Sequence, residues 1–395
     1  MDALSTTRRA RTTRRIAIAV ASLVVGVAAA VAGVAAHGAA AGDKADSVTI
    51  GVIEHLTGPS AYYGTGETKS IKAAVAYLNS TGGILGKHIK LQVLDDADNP
   101  AQSVPLVRKF ASNSSIPLIL GPTNAPSDEA DGPVAAQSHI PEIENTGGPA
   151  NVKGGWAWIV FAPYPQYAHV VVNRYFKTTH QKTAALLTQS NNVAFTQLVD
   201  PIKSQLKALG VKLVANISYT QGTVDFSSQI TQLKHAKPAA VLLDMIDVDA
   251  ARFMVQARKA GLKSRWVVPN NSEATPKLRQ LARGSALGLV GPAIFDPKSK
   301  APEFKAYIKW THKLYHDDLD PTTINGWDSV LLMKKAIRKA GAFDRDKIKD
   351  ALTSLPGFKG AAGRYKHQNG WQYAQQTIGV VELTKAGYVP WHGQK

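Results

Sequence analysis

The chain has 395 residues, of which 46 are Lys or Arg and 29 are Asp or Glu, and it contains no cysteine. The absence of cysteine excludes a disulfide framework, a thiolate metal site, a cysteine nucleophile and a lipid-modified cysteine anchor. The formal charge of +17 suggests a nucleic-acid partner, but beyond the N-terminal arginines the basic residues are scattered along predicted helices. We therefore predict solvated helix faces and no nucleic-acid partner.

The N-terminal segment has the pattern of an export signal. Five of the first 15 residues are arginines, and Ile16–Ala36 is an unbroken run of small and apolar residues. Ala39-Ala40-Ala41 provides a cleavage site after this run. We predict a signal peptide over residues 1–41 and an exported protein in the periplasm or cell wall. The apolar run has 21 residues, and about 20 can span a bilayer. An uncleaved membrane anchor is therefore the alternative, and the export route, general or twin-arginine, stays open.

The first predicted elements form a strand–helix–strand unit. Ser47–Ile53 is rich in β-branched residues, Thr68–Asn79 has a helical pattern, and His88–Leu94 is a second strand. The crossover in such a unit is almost always right-handed and gives a parallel sheet. Ligands bind such sheets at the carboxyl ends of their strands.

Helix and strand patterns then alternate along the chain, which predicts an α/β fold. Helices are predicted over Ser103–Ser112, Ser127–Gln137, Tyr167–Thr178, Ala194–Leu209, Phe226–His235, Val248–Ala260, Pro302–His316, Asp328–Ala340 and Arg345–Ser354, and strands over Ile116–Gly121, Ile140–Glu144, Thr183–Thr188, Val211–Tyr219, Ala239–Asp244 and Trp266–Pro269. The aromatic segment Trp156–Tyr167 and the turn-rich segment Leu287–Pro297 interrupt the alternation. We predict that they cross between two lobes around a cleft, a geometry that suits hinge closure on a ligand.

The sequence contains no recognised set of catalytic residues. It has no G-x-S-x-G elbow, H-E-x-x-H motif, Walker loop or G-x-G-x-x-G at a strand end. His312 and His316 have a metal-ligand spacing but belong to a polar helix face, and the acidic segment Asp95–Asn99 lacks the glycine and glutamate of a calcium loop. We therefore predict no enzyme, no catalytic residue, no metal and no cofactor.

A series of short motifs stands in a fixed order along almost all of the chain after residue 46. The motifs are Thr57-Gly-Pro59, Tyr63-Gly64, Gly82-Gly83 with Gly86, Asp95-Asp96, Leu120-Gly-Pro122, Gln256-Ala-Arg258 with Gly261, and Asn325-Gly-Trp-Asp328. This series resembles the leucine/isoleucine/valine-binding-protein family, the type I periplasmic solute-binding proteins of ABC importers. The resemblance implies two doubly wound parallel-sheet lobes joined by three hinge crossings. Lobe 1 would comprise residues 47–163 and 295–372, and lobe 2 residues 164–294 and 373–395.

The resemblance also implies a ligand site between the lobes. In lobe 1 it places the aromatic lid at Tyr63, a polar loop at Thr123-Asn124-Ala125, and the loop that grips a ligand carboxylate at Thr146-Gly147-Gly148. In lobe 2 it places contacts near Asn192–Phe195, on Asp244 to Asp247, and on Asn270. The aromatic residue of the returning helix matches Trp327.

The sequence departs from its relatives at the positions that would select the ligand. Asn270 replaces the acidic residue that pairs with a ligand ammonium, and Asp244 either supplies that charge from another direction or caps the next helix. Backbone amides at Gly147 and Gly148 can still cradle a carboxylate. Tyr63 and Trp327 either sandwich an aromatic acid or pack the lobes together. The ligand therefore stays open among an amino acid, an amide and an aromatic or simple carboxylate.

We expect an exported, monomeric, non-enzymatic protein that captures a small molecule between its lobes. Its partners would be an ABC permease and the ATPase subunits of that importer. The alternative is a membrane-anchored, ligand-sensing ectodomain of the same fold.

Overall fold

The computed structural model describes residues 46–146, 154–270, 275–296, 299–316, 323–368, 372–376 and 378–393, which build two β-sheets with flanking helices. The predicted signal peptide, residues 1–41, lies outside the described residues. Within the described ranges, every helix is too short or too polar to cross a membrane.

Strands and helices alternate through most of the chain, as the sequence pattern predicts. The strands are β1 (Ser47–Glu54), β2 (His88–Asp95), β3 (Ile119–Leu120), β4 (Glu142–Glu144), β5 (Ala157–Val160), β6 (Thr183–Gln189), β7 (Lys212–Tyr219), β8 (Ala240–Asp244), β9 (Arg265–Val267), β10 (Val290–Ala293), β11 (Gly357–Lys359), β12 (Arg364–Gln368), β13 (Gln372–Gln375), β14 (Gly379–Thr384) and β15 (Gly387–Pro390). The helices are α1 (Ala61–Ser80), α2 (Pro100–Ala111), α3 (Ala125–Gln137), α4 (Tyr164–Thr179), α5 (Val193–Thr196), α6 (Val199–Ala208), α7 (Ser227–Ala236), α8 (Asp247–Lys259), α9 (Pro276–Ala282), α10 (Pro302–Tyr315), α11 (Ile324–Ala340) and α12 (Arg345–Ser354).

The sheet of lobe 1 has the strand order β11-β12-β13-β5-β4-β3-β1-β2. The strands from β2 to β13 pair in parallel, while β11 and β12 add antiparallel strands at one edge. Strand β1 is hydrogen-bonded to both β2 and β3, so the strand order reverses there. Such a reversal leaves a crevice at the carboxyl ends of the strands, where α/β sheets bind ligands.

The sheet of lobe 2 repeats this arrangement with the order β15-β14-β10-β9-β8-β6-β7. Strands β7 to β10 are parallel, and β14 and β15 are antiparallel at the edge. The order reverses at β6, which pairs with both β7 and β8. Strand β8 is buried along its whole length, as its continuous apolar sequence predicts for a central parallel strand.

The chain crosses between the lobes three times: between β5 and α4, between β10 and α10, and between β13 and β14. The predicted two-lobe α/β fold is therefore confirmed, although each sheet is mixed rather than purely parallel. Strand β13 (Gln372–Gln375) belongs to the lobe 1 sheet, so the third crossing follows residue 375 rather than residue 372.

Among the helices that differ from the sequence prediction, two do so for reasons that the structure identifies. Helix α1 begins at Ala61 rather than Thr68, because Gly64 and Gly66, which suggested a loop, are helical residues in close contact with other segments. The single helix predicted over Ala194–Leu209 is two helices, α5 and α6. Pro201 lies in the first turn of α6, where a residue without an N–H is tolerated, whereas in a continuous helix it would remove a hydrogen bond.

Candidate ligand-binding site

A cleft lies where the carboxyl ends of the central strands of both lobes meet. It encloses about 640 Å³, including its solvent-open mouth. The residues of its lobe 1 wall lie mainly in the segments that come after β1, β3 and β4 in the chain. Those of its lobe 2 wall lie in the segments that come after β5, β6 and β8. The lining residues are His55, Ser60, Tyr63, Glu67, Thr123, Asn124, Ala125, Asn145, Thr146, Phe161, Tyr164, Asn192, Ala194, Phe195, Ile246 and Asn325.

The turn that leads from β1 into α1 is fixed by Asp95, the last residue of β2, and by Asp98, which follows that strand. The Asp95 carboxylate accepts the Leu56 N–H at 2.8 Å and the Thr57 hydroxyl at 2.7 Å. The Asp98 carboxylate accepts the Ser60 N–H at 2.9 Å. These bonds tie the turn to the end of β2, and they place the start of α1 against the cleft.

The first turn of α1 packs directly on the backbone of His55. The Gly64 N–H donates to His55 Nε2 at 3.1 Å, and a Cβ atom at position 64 would lie 2.4 Å from the His55 carbonyl oxygen. Only glycine allows this approach, which sets the position of the neighbouring Tyr63 in the cleft wall. Burial lowers the pKa of His55, and its Nε2 acts as an acceptor, so this ring is neutral with its proton on Nδ1.

The loop after β3 places polar side chains in the cleft wall, and hydrogen bonds to neighbouring side chains fix their positions. The Thr123 hydroxyl donates to Glu54 Oε1 at 2.8 Å, and the Asn145 amide donates to Thr123 Oγ1 at 3.5 Å. The Asn124 side-chain amide donates to the Asp98 carboxylate. Helix α3 begins at Ala125, so its N-terminus, the positive end of the helix dipole, lies at the cleft.

The lobe 2 wall is mainly aromatic. The ring of Tyr164 lies 5.3 Å from that of Phe161 and 6.2 Å from that of Phe195. The Asn192 side chain accepts the Ala194 N–H at 2.9 Å and so caps the short helix α5. The wall therefore offers flat apolar surface beside a small number of polar groups.

Two side-chain contacts join the lobes. Across the cleft, Thr146 Oγ1 and the Tyr164 hydroxyl lie 3.2 Å apart. Outside the set of lining residues, the Lys277 ammonium of lobe 2 lies 5.5 Å from the ring centroid of Tyr62 in lobe 1. These contacts join side chains from both lobes, so they form together only when the lobes approach each other.

Glu67 is the one acidic side chain among the described residues that line the cleft, and no lysine or arginine accompanies it there. It lies one helical turn after Tyr63 on α1, so both side chains are on the same face. The side chain is only 1% exposed. A buried carboxylate in a cleft without basic side chains is suited to pair with a cationic group of a ligand.

The structure brings six of the predicted site residues together on the cleft walls: Tyr63, Thr123, Asn124, Ala125, Thr146 and Asn192. Gly147 and Gly148, the predicted amide cradle, lie outside the described residues. The other four predicted residues, Asp244, Asp247, Asn270 and Trp327, do not line the cleft.

Asp244 and Asn270 form a buried pair below the lobe 2 wall instead of facing a ligand. The Asn270 amide donates to Asp244 Oδ1 at 2.9 Å, and neither side chain is exposed. Burial raises the pKa of Asp244 well above its usual range, and the hydrogen bond from Asn270 offsets only part of this effect. Asp244 ends the buried strand β8, so its side chain is held within lobe 2.

Asp247 also has a structural position. Its Oδ2 accepts the Thr275 hydroxyl at 2.8 Å, and the Thr275 Oγ1 in turn accepts the Leu278 N–H at 3.0 Å and caps α9. Between the two aspartates, Ile246 is the side chain that reaches the cleft. The matched segment therefore contributes an apolar contact rather than a charge.

Trp327 lies in the core of lobe 1, away from the cleft. Its ring stacks on Tyr77 at 5.6 Å and meets Tyr307 edge-on at 5.7 Å, and it is fully buried. Asn325, two residues earlier on α11, is the residue that lines the cleft. Because successive helical residues are turned by about 100°, Trp327 points to nearly the opposite side of α11. The expected aromatic sandwich of Tyr63 and Trp327 therefore does not form.

Several lining residues were missed by the sequence analysis. Glu67 was overlooked because α1 was predicted to start seven residues too late, which hid the helical spacing between Tyr63 and Glu67. His55 directly follows β1, and its position at a strand end was the available signal. Phe161 and Tyr164 belong to the aromatic segment that was predicted as a crossing between the lobes. Because a ligand binds between the lobes, a position next to a crossing was the signal that could have identified them. Asn325 was part of a recognised motif, but its neighbour Trp327 was chosen.

The family model described as periplasmic binding protein matches residues 47–388. The chain belongs to the periplasmic binding protein family. This family consists of solute-binding proteins that are exported and serve ABC transporters. One similar protein is the Leu/Ile/Val-binding protein homolog 1 of Brucella abortus, which is 26% identical over 331 residues and covers 82% of this chain and 87% of its own length.

Solved structures share the fold of this family member. The branched-chain amino acid transporter substrate binding protein LivJ of Streptococcus pneumoniae, in complex with isoleucine, has a TM-score of 0.78 at 20% identity and covers 87% of this chain and 98% of its own. An ABC transporter solute binding protein from R. palustris, in complex with benzoate, has a TM-score of 0.76 at 18% identity, with coverages of 87% and 95%. At these identities the likeness establishes the two-lobe fold.

Proposed function

We propose that this periplasmic binding protein captures a small α-amino acid between its lobes and delivers it to an ABC permease with its ATPase subunits. Glu67 carries the proposal, because it is the only charged side chain among the described lining residues and can pair with the ligand ammonium. The N-terminus of α3 provides the opposite polarity for the ligand carboxylate. The hydroxyls of Thr123 and Thr146 lie on the same wall and complete the polar set.

An aromatic carboxylate is the second candidate, and the aromatic wall favours it. Tyr63, Phe161, Tyr164 and Phe195 offer stacking surface for a ring. The similar protein from R. palustris is described in complex with benzoate. For such a ligand the carboxylate would use the same α3 N-terminus, while Glu67 would have no cationic partner.

Binding would shift the protein towards the closed arrangement of its lobes. Both lobes contribute lining residues, so a ligand makes its full set of contacts only when the lobes close on it. The ligand moves the equilibrium by its difference in affinity for the closed and open forms. The permease would then recognise the closed protein.

We further propose that residues 1–41 are removed on export and that the mature protein is a monomer, without enzymatic activity, in the periplasm or cell wall. Sequencing the N-terminus of the protein from its native host tests this. A start at or near Gly42 supports it, whereas an intact Met1 supports the anchored ectodomain.

A thermal-shift screen with amino acids and aromatic carboxylates tests the ligand class. A ligand that binds only the native state adds about 2.7 kcal/mol of stability at a hundredfold excess over Kd. Glu67→Gln separates the candidates: it should weaken amino-acid binding by about 2 kcal/mol or more, because it leaves an ammonium without its counter-charge. Binding of aromatic acids should not fall.

The matched control is Glu129→Gln, which changes an exposed glutamate on α3 and should leave all binding unchanged. If Glu67→Gln binds amino acids as tightly as the wild type, Glu67 is not the ammonium partner. Hits among aromatic acids alone would establish the second candidate.

A further inference from the structure

Lobe 1 contains a group of carboxylates that the ligand cleft does not use. Asp131 on α3 and Glu142 and Glu144 on β4 each place a carboxylate oxygen within 4.8 Å of the other two. All three side chains are fully buried. Strand β4 was predicted from its sequence, and it carries a buried glutamate at each end.

A fourth buried carboxylate, Asp128, lies near this group. It lies one helical turn before Asp131 on the same face of α3. It is fully buried, and neither of its oxygens has a hydrogen-bond partner among the described residues. The same is true of both Glu142 oxygens. Buried charges in proteins are ordinarily paired or bound to metals.

The surroundings of these groups provide no compensating positive charge in the described part of the chain. The charges acting on Asp128 are those of the carboxylates Glu144, Asp131, Glu142 and Glu54. The Ser103 hydroxyl donates to Asp131 Oδ2 and so orients that carboxylate. Asp131 Oδ1 has no hydrogen-bond partner among the described residues.

We propose that lobe 1 binds one divalent cation, calcium in preference to magnesium, through Asp131, Glu142 and Glu144, with the charge of nearby Asp128 adding to the attraction. An all-oxygen, carboxylate-rich donor set is the one that hard cations prefer. Oxygens on opposite sides of a calcium ion lie roughly 4.6–5.2 Å apart, given its metal–oxygen distances, and this span accommodates the three ligands. Magnesium demands a smaller octahedron and retains waters, for which a fully buried cluster is poorly suited.

The cation would lie directly behind the ligand cleft. Glu144 is followed in sequence by Asn145 and Thr146, which both line the cleft. Glu54, whose charge acts on Asp128, accepts the Thr123 hydroxyl. A bound cation would hold β4 and α3 together and fix the loops that follow β3 and β4. We therefore expect it to tighten ligand binding, a consequence that rests on the proposed function, whereas the cation site itself does not.

Calorimetric titration of the EDTA-treated, dialysed protein with CaCl2, MgCl2 and MnCl2 tests the cation site directly. We expect one calcium per chain, a rise in Tm on calcium addition, and weaker magnesium binding. Glu142→Gln keeps the size of the side chain and removes a ligand charge, so it should weaken calcium binding by more than about tenfold. Glu129→Gln, on the exposed side of α3, should bind calcium as the wild type does.

Folding of the variant is not expected to limit the test, because an amide in place of one of four mutually repelling carboxylates relieves repulsion in the cation-free protein. Glu144→Gln provides a second variant with the same expectation. No binding heat and no change in Tm with any of the three cations would overturn the proposal and leave the cluster neutralised by protons. Equal calcium affinity in wild type, Glu142→Gln and Glu144→Gln would overturn the assignment to these residues. Both results are independent of whether the cleft binds an amino acid.

Discussion

At the scale of single residues, the polar side chains of this protein separate into those that face the cleft and those that support it. Thr123 and Asn124 line the cleft and bond to Glu54 and Asp98 behind them. Asp244 lies in the supporting layer. Sequence patterns predict polar residues at strand ends, but they do not predict which of two adjacent polar residues faces the cleft and which supports it.

The supporting role of Asp244 predicts a specific pH dependence of stability. Its pKa is raised in the folded protein, chiefly by burial, so between the ordinary aspartate pKa and the raised value the native state holds a proton that the unfolded chain has released. Stability contributed by this group is complete below the ordinary pKa and is lost as pH rises through that window, by about 1.4 kcal/mol per pH unit. Asp244→Asn removes the titration, so its Tm should increase relative to wild type as pH rises from 4 to 7.

Asp225→Asn is the control for this measurement. Hydrogen bonds from Ser227 lower the pKa of the exposed Asp225, so its contribution to stability varies only below the ordinary aspartate pKa, and the Tm difference between Asp225→Asn and wild type should stay constant from pH 4 to 7. A Tm difference between Asp244→Asn and wild type that does not vary with pH would show that Asp244 titrates normally in the folded protein.

At the scale of elements, small errors in helix position decide which side chains reach the site. Helix α11 was predicted from Asp328 but begins at Ile324, and within it Asn325 rather than Trp327 faces the cleft. Helix α1 was predicted from Thr68 because two glycines precede that residue. The spacing of apolar residues predicts that these helices exist, but it does not reveal that a glycine is present for close packing instead of for a turn.

The role of Gly64 in α1 can be tested by Gly64→Ala. The added Cβ would lie 2.4 Å from the His55 carbonyl oxygen, so α1 must move away from β1. We expect a loss of about 1–3 kcal/mol in the free energy of unfolding, as for other overpacked sites, and weaker ligand binding because Tyr63 moves with the helix. Chemical denaturation and calorimetry measure the two effects.

Gly284→Ala is the matched control, since a Cβ at that position meets no atom within 4 Å. It should change neither stability nor binding by a measurable amount. Wild-type stability and affinity in Gly64→Ala would show that the contact of α1 with His55 is not required for the site.

At the scale of the whole molecule, the two-lobe α/β fold could be predicted from the sequence. Alternating strand and helix patterns indicate parallel sheets, and the interruptions near residues 156–167 and 287–297 indicate the first two crossings. The C-terminal strands β11 to β15 could not be assigned individually, because they are short and their pairing depends on distant segments. The cleft walls required the relative positions of both lobes, which no local pattern contains.

The same limit explains the buried acidic cluster of lobe 1. Asp131 and Glu142 come from an α-helix and the strand that follows it, and only the packing of α3 on the sheet brings their carboxylates together. The sequence analysis predicted no metal because it searched for ligands at short, regular spacings. A cluster assembled from α3 and β4 has no such spacing.

The most direct test of a ligand held between the lobes is calorimetry of the best ligand from the screen with one truncation on each wall. Tyr63→Ala removes a partly exposed side chain from lobe 1, and Ile246→Ala does so from lobe 2. If one ligand contacts both walls, each variant should bind it more weakly than the wild type, with one site per chain and little change in Tm of the free protein. Weakening by only one of the two, or by neither, would contradict capture between the lobes.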